Sequence, residues 1–262
     1  MTTSAERTIA ALRAEHDSLA ATGATLSADR LKGPSGASDW TVAQVFSHLG
    51  SGAEITLAGL RAATGVADAP GPDFNQRVWD RWNAMSPEAQ AAGAVESDAA
   101  LVAAFESLTP EQHETLRINP GFLPAPAPLA TFAGLRLSET VHHGWDIRVA
   151  TDPAARLSPE SAELLAEHLN GGLSFFLGFI AKPEAIGEPA VVQLDGTPYR
   201  IVLDDSAHFT SDGATATAVF TGPLESALRL IVGRLAPEHT PSGVEVAGNV
   251  TLDGLRAVFP GF

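Results

Sequence analysis

From Ala5 to about Ser27 the apolar residues Ile9, Leu12, Leu19 and Leu26 recur at helical spacing, with Arg7, Arg13, Glu15 and Asp17 between them. That pattern predicts an amphipathic helix. The stretch Lys32 to Ser38 carries Gly33, Pro34 and Gly36 and reads as a loop. Thr41 and Gln44 then have the T-x-x-Q spacing of a capping box, which predicts a second helix running to about Thr64. A Gly/Pro/Asp-rich segment, Gly65 to Asp73, separates it from two helical stretches, Phe74 to Ala92 and Ser97 to Leu116, the latter with Leu101, Phe105 and Leu108 on one stripe. Asn119 to Pro128 contains four prolines and cannot be helical throughout. A last helix, Leu129 to about Ala150, closes a half that reads as a helical bundle.

Beyond Asp152-Pro153 the period changes. A helix from Pro159 toward Ile180 leads into two apolar runs, Ala190 to Leu194 and Tyr199 to Leu203. Asp195-Gly196-Thr197-Pro198 between them is a hairpin signal. Ala207 to Thr210 and Thr215 to Phe220 read as two more strands. Pro223 sits where a first helical turn would begin, and Leu224, Leu228, Ile231 and Leu235 form a helical stripe. A short terminal helix follows Gly248-Asn249. The pattern predicts an α+β protein: a helical bundle over residues 1–152 and a small α+β domain with an antiparallel sheet over 153–262.

Length and composition suit that organisation. The 262 residues, 45% hydrophobic and 18% charged, provide for two modest domains and exclude wholesale disorder. Sixteen basic against thirty-one acidic residues leave a formal charge of −15, a field that repels phosphate backbones and anionic lipid, so neither nucleic acid nor a membrane is an expected partner. With no cysteine, the chain has no thiolate nucleophile or ligand, and any metal must be held by His and carboxylate. The N-terminal segment lacks an unbroken apolar stretch, and nothing later approaches the length of a membrane span, so a soluble, cytoplasmic protein is expected.

Among the histidines, His48 lies near the inner face of the second predicted helix, with Val45 at i−3 and Thr41 at i−7. In the last helix of the bundle, Glu139 and His143 stand at i and i+4 and project from one face, able to converge on one ion. With His48 from another helix they would make a His/Glu/His set that leaves positions for water or substrate. The same spacing also suits a plain i,i+4 hydrogen bond on a solvated face, and His142, at i+3 from Glu139, competes for the ligand role. Asp146 follows His143 by three residues on the same side. Trp40 and Trp145 suit the bundle core, and Gly144 inside a helix suggests close approach by a neighbour or a ligand.

Asp39-Trp40-Thr41-Val42 leading to His48-Leu49, followed much later by Glu139-Thr140-Val141-His142-His143-Gly144-Trp145-Asp146, resembles the DinB-like metal-binding domain of mycothiol-dependent maleylpyruvate isomerases and related actinobacterial thiol-dependent enzymes. The likeness extends to Gly248-Asn249-Val250-Thr251-Leu252-Asp253-Gly254-Leu255, similar to that family's sterol-carrier-like C-terminal domain. It implies His48, Glu139 and His143 as metal ligands, with His143 rather than His142, and Asp146 as a catalytic or supporting carboxylate. Arg234, with Arg229 close behind, is the candidate for an arginine that reaches an anionic substrate.

The implied cofactors are a divalent metal, zinc being the usual choice for such ligands although nickel, iron and manganese accept them too, and the thiol mycothiol. The implied chemistry is thiol addition to a small electrophile, ending in cis/trans isomerisation or in S-transfer. Two other readings stay open: a non-catalytic module whose second half holds an apolar ligand against Phe175, Phe176 and Phe179, and a metal-dependent hydrolase.

Overall fold

The computed structural model describes residues 2–213 and 215–261. The chain divides into two compact units at the Pro153/Ala154 junction. The first is helical. Its elements are α1 (Ser4–Gly23), α2 (Ala28–Leu31), α3 (Val42–Ala63), α4 (Phe74–Asn83), α5 (Pro87–Glu106) and α6 (Pro110–Thr115), then a two-stranded ribbon of β1 (Arg117–Ile118) and β2 (Ala127–Pro128), and α7 (Leu129–Val149).

Four long helices form the bundle: α1 and α3 each pack against both α5 and α7. The helix starts are chemically marked. Thr41 accepts from the Gln44 amide while the Gln44 side chain accepts from the Thr41 amide, the reciprocal box predicted for α3. Apolar side chains from α3 and its neighbours, among them Val45, Phe46, Leu49, Trp82 and Ala94, make a continuous core.

A buried polar knot crosses that core. Asp98 on α5 accepts from Nη2 of Arg136 on α7 at 2.8 Å, and its other oxygen lies 3.0 Å from Nδ1 of His16 on α1. The same Arg136 nitrogen donates to the Leu49 carbonyl on α3 at 3.0 Å. All four helices of the bundle are therefore tied through one carboxylate and one guanidinium. Burial raises the Asp98 pKa, but the hydrogen bond from His16 and the charge of Arg136 outweigh it and hold the group below the ordinary aspartate value.

Several boundaries differ from the sequence reading, each for a local reason. The first helix ends at Gly23 rather than near Ser27, because Ser27 caps the separate turn α2 through the Arg30 amide. The two stretches read as Phe74–Ala92 and Ser97–Leu116 become three helices. Ser86-Pro87 and Thr109-Pro110 each place a capping hydroxyl before a proline at the first helical position, and each starts a new helix.

The second unit holds α8 (Pro159–Leu169), α9 (Leu177–Ile180), β3 (Ala190–Leu194), β4 (Arg200–Leu203), β5 (Ala207–Thr210), β6 (Ala218–Thr221), α10 (Leu224–Ile231), β7 (Glu245–Gly248) and α11 (Leu252–Val258). Its sheet has the order β5-β4-β3-β6-β7. Three pairings are antiparallel, but β3 and β6, with Val192 opposite Ala218 and Leu194 opposite Phe220, run parallel. Alternate residues are buried along β3 to β6, so one face of the sheet meets the core.

The β3–β4 hairpin turns as expected, with Gly196 in the left-handed region at φ 70°. The helix expected over Pro159–Ile180 is interrupted between Asn170 and Phe176, and α10 stops at Ile231, short of Leu235. Gly233 explains the latter: its φ is 72°, and a side chain there would collide with the backbone of Gly261. The edge strand β7 escapes sequence reading because Glu-Val-Ala-Gly is short and largely exposed.

Candidate metal centre

His48 projects from α3, and Glu139 and His143 from the adjacent α7. One ligand atom from each, two imidazole nitrogens and a carboxylate oxygen, lie within 4.8 Å of one another. His48 Nε2 is 2.7 Å from Glu139 Oε2, and His143 Nε2 is 3.7 Å from the same oxygen. The site is open on one side, since the Glu139 and His48 side chains remain 39% and 38% exposed while His143 is nearly buried.

Electrostatics favour an anionic Glu139. Burial opposes its charge, yet the hydrogen bond with His48 and the nearby charges of His143, His48 and Arg136 prevail and bring its pKa down to about 2. The carboxylate is thus ionised and ready to face a cation at any ordinary pH.

Behind His143, Asp146 Oδ2 lies 2.8 Å from Nδ1, and Asp146 is fully buried. A carboxylate at this position accepts a hydrogen bond from Nδ1–H and leaves the Nε2 lone pair on the side of Glu139 and His48, the arrangement that supports a metal-binding imidazole. His142 points elsewhere: its Nδ1 lies 2.9 Å from the Ser138 carbonyl, and it is outside the three-residue group. The donor set, two nitrogens and one carboxylate oxygen with a supported histidine, suits a divalent metal of the zinc type.

The other singled-out residues have distinct surroundings. Trp145 is in the core at 1% exposure, but Trp40, expected there too, is 37% exposed and lies over the two imidazoles. That position lay beyond helical periodicity, since Trp40 belongs to the loop before α3. A Cβ on Gly144 would meet the Arg148 guanidinium at 3.2 Å, so it is a neighbouring side chain that uses the space.

In the second unit, Arg229 is buried, with Nε donating to Glu225 Oε2 at 2.8 Å and Nη1 to the carbonyls of Arg234 and His239. Arg234 is buried as well and donates from Nη1 to the Val232 carbonyl at 3.0 Å. Phe175 and Phe179 meet edge to face at 6.0 Å, but Phe179 is 75% exposed, so it does not line an enclosed cavity with Phe176. After the break at Asn170 the segment still buries Leu173 and Leu177, while Phe175 and Phe176 are half-buried.

The overall architecture matches the crystal structure of the mycothiol-dependent maleylpyruvate isomerase with a TM-score of 0.65 at 18% identity, over 95% of this chain and 98% of that one. A histidine-to-alanine mutant of that enzyme matches equally well at 17% identity. These likenesses define the fold as that of the isomerase, a mixed helical and sheet protein. Residues 12–148 match the family described as the mycothiol maleylpyruvate isomerase N-terminal domain, and the chain belongs to that family. Two uncharacterized proteins of Mycobacterium tuberculosis, from strains CDC 1551 and H37Rv, are each 29% identical over 154 residues, which is 56% of this chain and 68% of theirs. No helix among the described residues is long and apolar enough to cross a membrane.

Proposed function

We propose that this protein is a metal-dependent enzyme in which a low-molecular-weight thiol, mycothiol, attacks a small electrophile. Expulsion of the thiol after rotation about a former cis double bond makes the reaction an isomerisation like that of maleylpyruvate, whereas retention makes it an S-transfer. The observation that carries this reading is the convergence of His48, Glu139 and His143 within 4.8 Å, inside a chain of this family. The chain has no cysteine, so the thiol comes from a cosubstrate.

His48, Glu139 and His143 would hold the ion. A divalent cation bound there supplies Lewis acidity that stabilises the conjugate base of a thiol at neutral pH. Glu139 contributes a full negative charge, and the two imidazoles contribute neutral nitrogen donors, so a cation would keep net positive charge for an incoming anion. Asp146 acts through His143: buried and 2.8 Å from Nδ1, it sets which ring nitrogen faces the site. Arg234 is proposed, on the family resemblance alone, as the partner for a substrate carboxylate; Arg229 is paired with Glu225.

Elemental analysis of untagged protein purified without added metal, with His143→Ala in parallel, tests the centre. About one divalent ion per chain is expected, lost in the variant. Turnover of a cis-configured unsaturated dicarboxylate should then require added mycothiol. Turnover without thiol would replace this reading by hydrolysis, and no metal after reconstitution would leave a binding module.

A further inference from the structure

The loop before α3 is built around one exposed indole. Gly36 donates its amide proton to the Asp146 carbonyl at 2.8 Å, and a Cβ at Gly36 would lie 3.0 Å from Asp146 Cα and 2.6 Å from Val149 Cγ1. Only glycine allows the loop to lie this close to α7. Three residues on, Asp39 adopts φ 64°, the one non-glycine residue in the left-handed region among those described. The Trp40 carbonyl accepts from both the amide and the hydroxyl of Ser35, at 3.1 and 2.9 Å, and Thr41 is locked as the α3 cap. The backbone of Trp40 is thus fixed on both sides.

That anchoring directs the side chain at the candidate centre. The indole stacks on His143 with centroids 5.9 Å apart and planes 21° apart, and it leans on His48 at 5.2 Å. The two imidazoles meet each other edge-on at 4.6 Å. His143 has Asp146 behind it. His48 makes its hydrogen bond to Glu139, a member of the same set, so in the site itself the indole is the contact that steadies the His48 ring independently of the other ligands.

We propose that Trp40 is a positioning residue, a wall that keeps the His48 and His143 rings oriented toward Glu139 and so strengthens metal binding. This rests on the metal-centre reading given above. Asp146 serves the same end twice, through its carboxylate on His143 and through its carbonyl on the loop that carries Trp40.

The test is zinc affinity by competition with a chromophoric chelator, together with the visible spectrum of the cobalt-loaded protein, for wild type, Trp40→Ala, Trp40→Phe and Trp79→Ala. Trp79 is a comparably exposed indole on α4 and serves as control. Trp40→Ala is expected to weaken zinc binding by about tenfold or more, the size of effect typical of residues that orient ligands, and to shift the cobalt bands. Trp40→Phe should recover most of the affinity, and Trp79→Ala should match wild type, with helical circular dichroism the same in all four. Unchanged affinity and spectrum in Trp40→Ala would overturn the inference while leaving the metal centre intact. Equal losses in Trp40→Ala and Trp40→Phe would also overturn it, since a ring contact would then not be the cause. Absence of zinc binding in wild type would remove the metal centre and this inference with it.

Discussion

Asp146 and His143 stand three residues apart on α7, with Oδ2 of the first 2.8 Å from Nδ1 of the second. The carboxylate lies in the protein interior and the far side of the imidazole faces the open side of the site. Asp146→Asn keeps the shape but removes the charge, so it should leave the helical circular dichroism unchanged while weakening metal binding about 10- to 100-fold. A chelator competition assay reads this directly. Wild-type affinity in the variant would mean that the carboxylate does not govern the histidine.

The buried Asp98 sets a pH dependence of stability. Its pKa is lowered in the folded protein, where it is paired with His16 and Arg136, while in the unfolded chain it titrates near about 4. The folded state therefore binds fewer protons, and the stabilisation is complete above pH ~5 and fades as pH falls through the folded pKa. Asp98→Asn should cost about 3 kcal/mol at neutral pH, because the Arg136 charge is left buried without its counter-charge. Urea titrations at pH 7 and pH 3.5 should show a smaller difference between wild type and variant at the lower pH.

Gly50 on α3 lies directly against Trp82 of α4. A Cβ there would overlap the six-membered ring of Trp82 and approach Ala94 Cα to 2.9 Å. With backbone on one side and a packed indole on the other, Gly50→Ala should destabilise the first unit by about 1–3 kcal/mol despite the better helix propensity of alanine. A thermal melt checks the sign; a rise in Tm would mean that Trp82 moves aside at little cost.

Thr41 closes the capping box next to Trp40. Thr41→Ala should cost about 1 kcal/mol, and Thr41→Ser much less, since serine keeps the accepting oxygen. Denaturant melts of the two variants distinguish a cap effect from a loss of side-chain bulk, which would affect both alike.

What could be read along the chain depended on how local the governing physics was. Thr41 and Gln44 declared the start of α3 within four residues, and the Asp195-Gly196 turn declared the β3–β4 hairpin, because both signals are satisfied by near neighbours. Glu139 and His143 share a helix face by spacing alone, but their meeting with His48 is a contact across 91 residues that periodicity does not contain; the ligand types suggest it and the family resemblance implies it. The division between α4 and α5 is marked only by Ser86-Pro87, and the apolar periodicity runs through it. The knot of His16, Asp98 and Arg136 is hidden in the sequence for another reason. Single polar residues on otherwise apolar faces become informative only once their partners are known. Trp40 looked like core because it is large and apolar; the left-handed Asp39 before it turns it outward, and no side-chain pattern reports that angle.

The parallel pairing of β3 with β6 has a consequence for assembly. β3, β4 and β5 can zip together in sequence through short turns, each new strand meeting the one just made. β6 must instead return to the far side of β3, so the middle seam of the sheet closes over a longer stretch of chain than its flank does. Until it closes, β3 presents a bare edge of hydrogen-bonding groups along Val192, Gln193 and Leu194. A nascent chain ending before Ala218 would carry that open edge; the emergence of β6 covers it and hands the exposed edge on to β6, where it stays until Glu245–Gly248 of β7 pairs alongside.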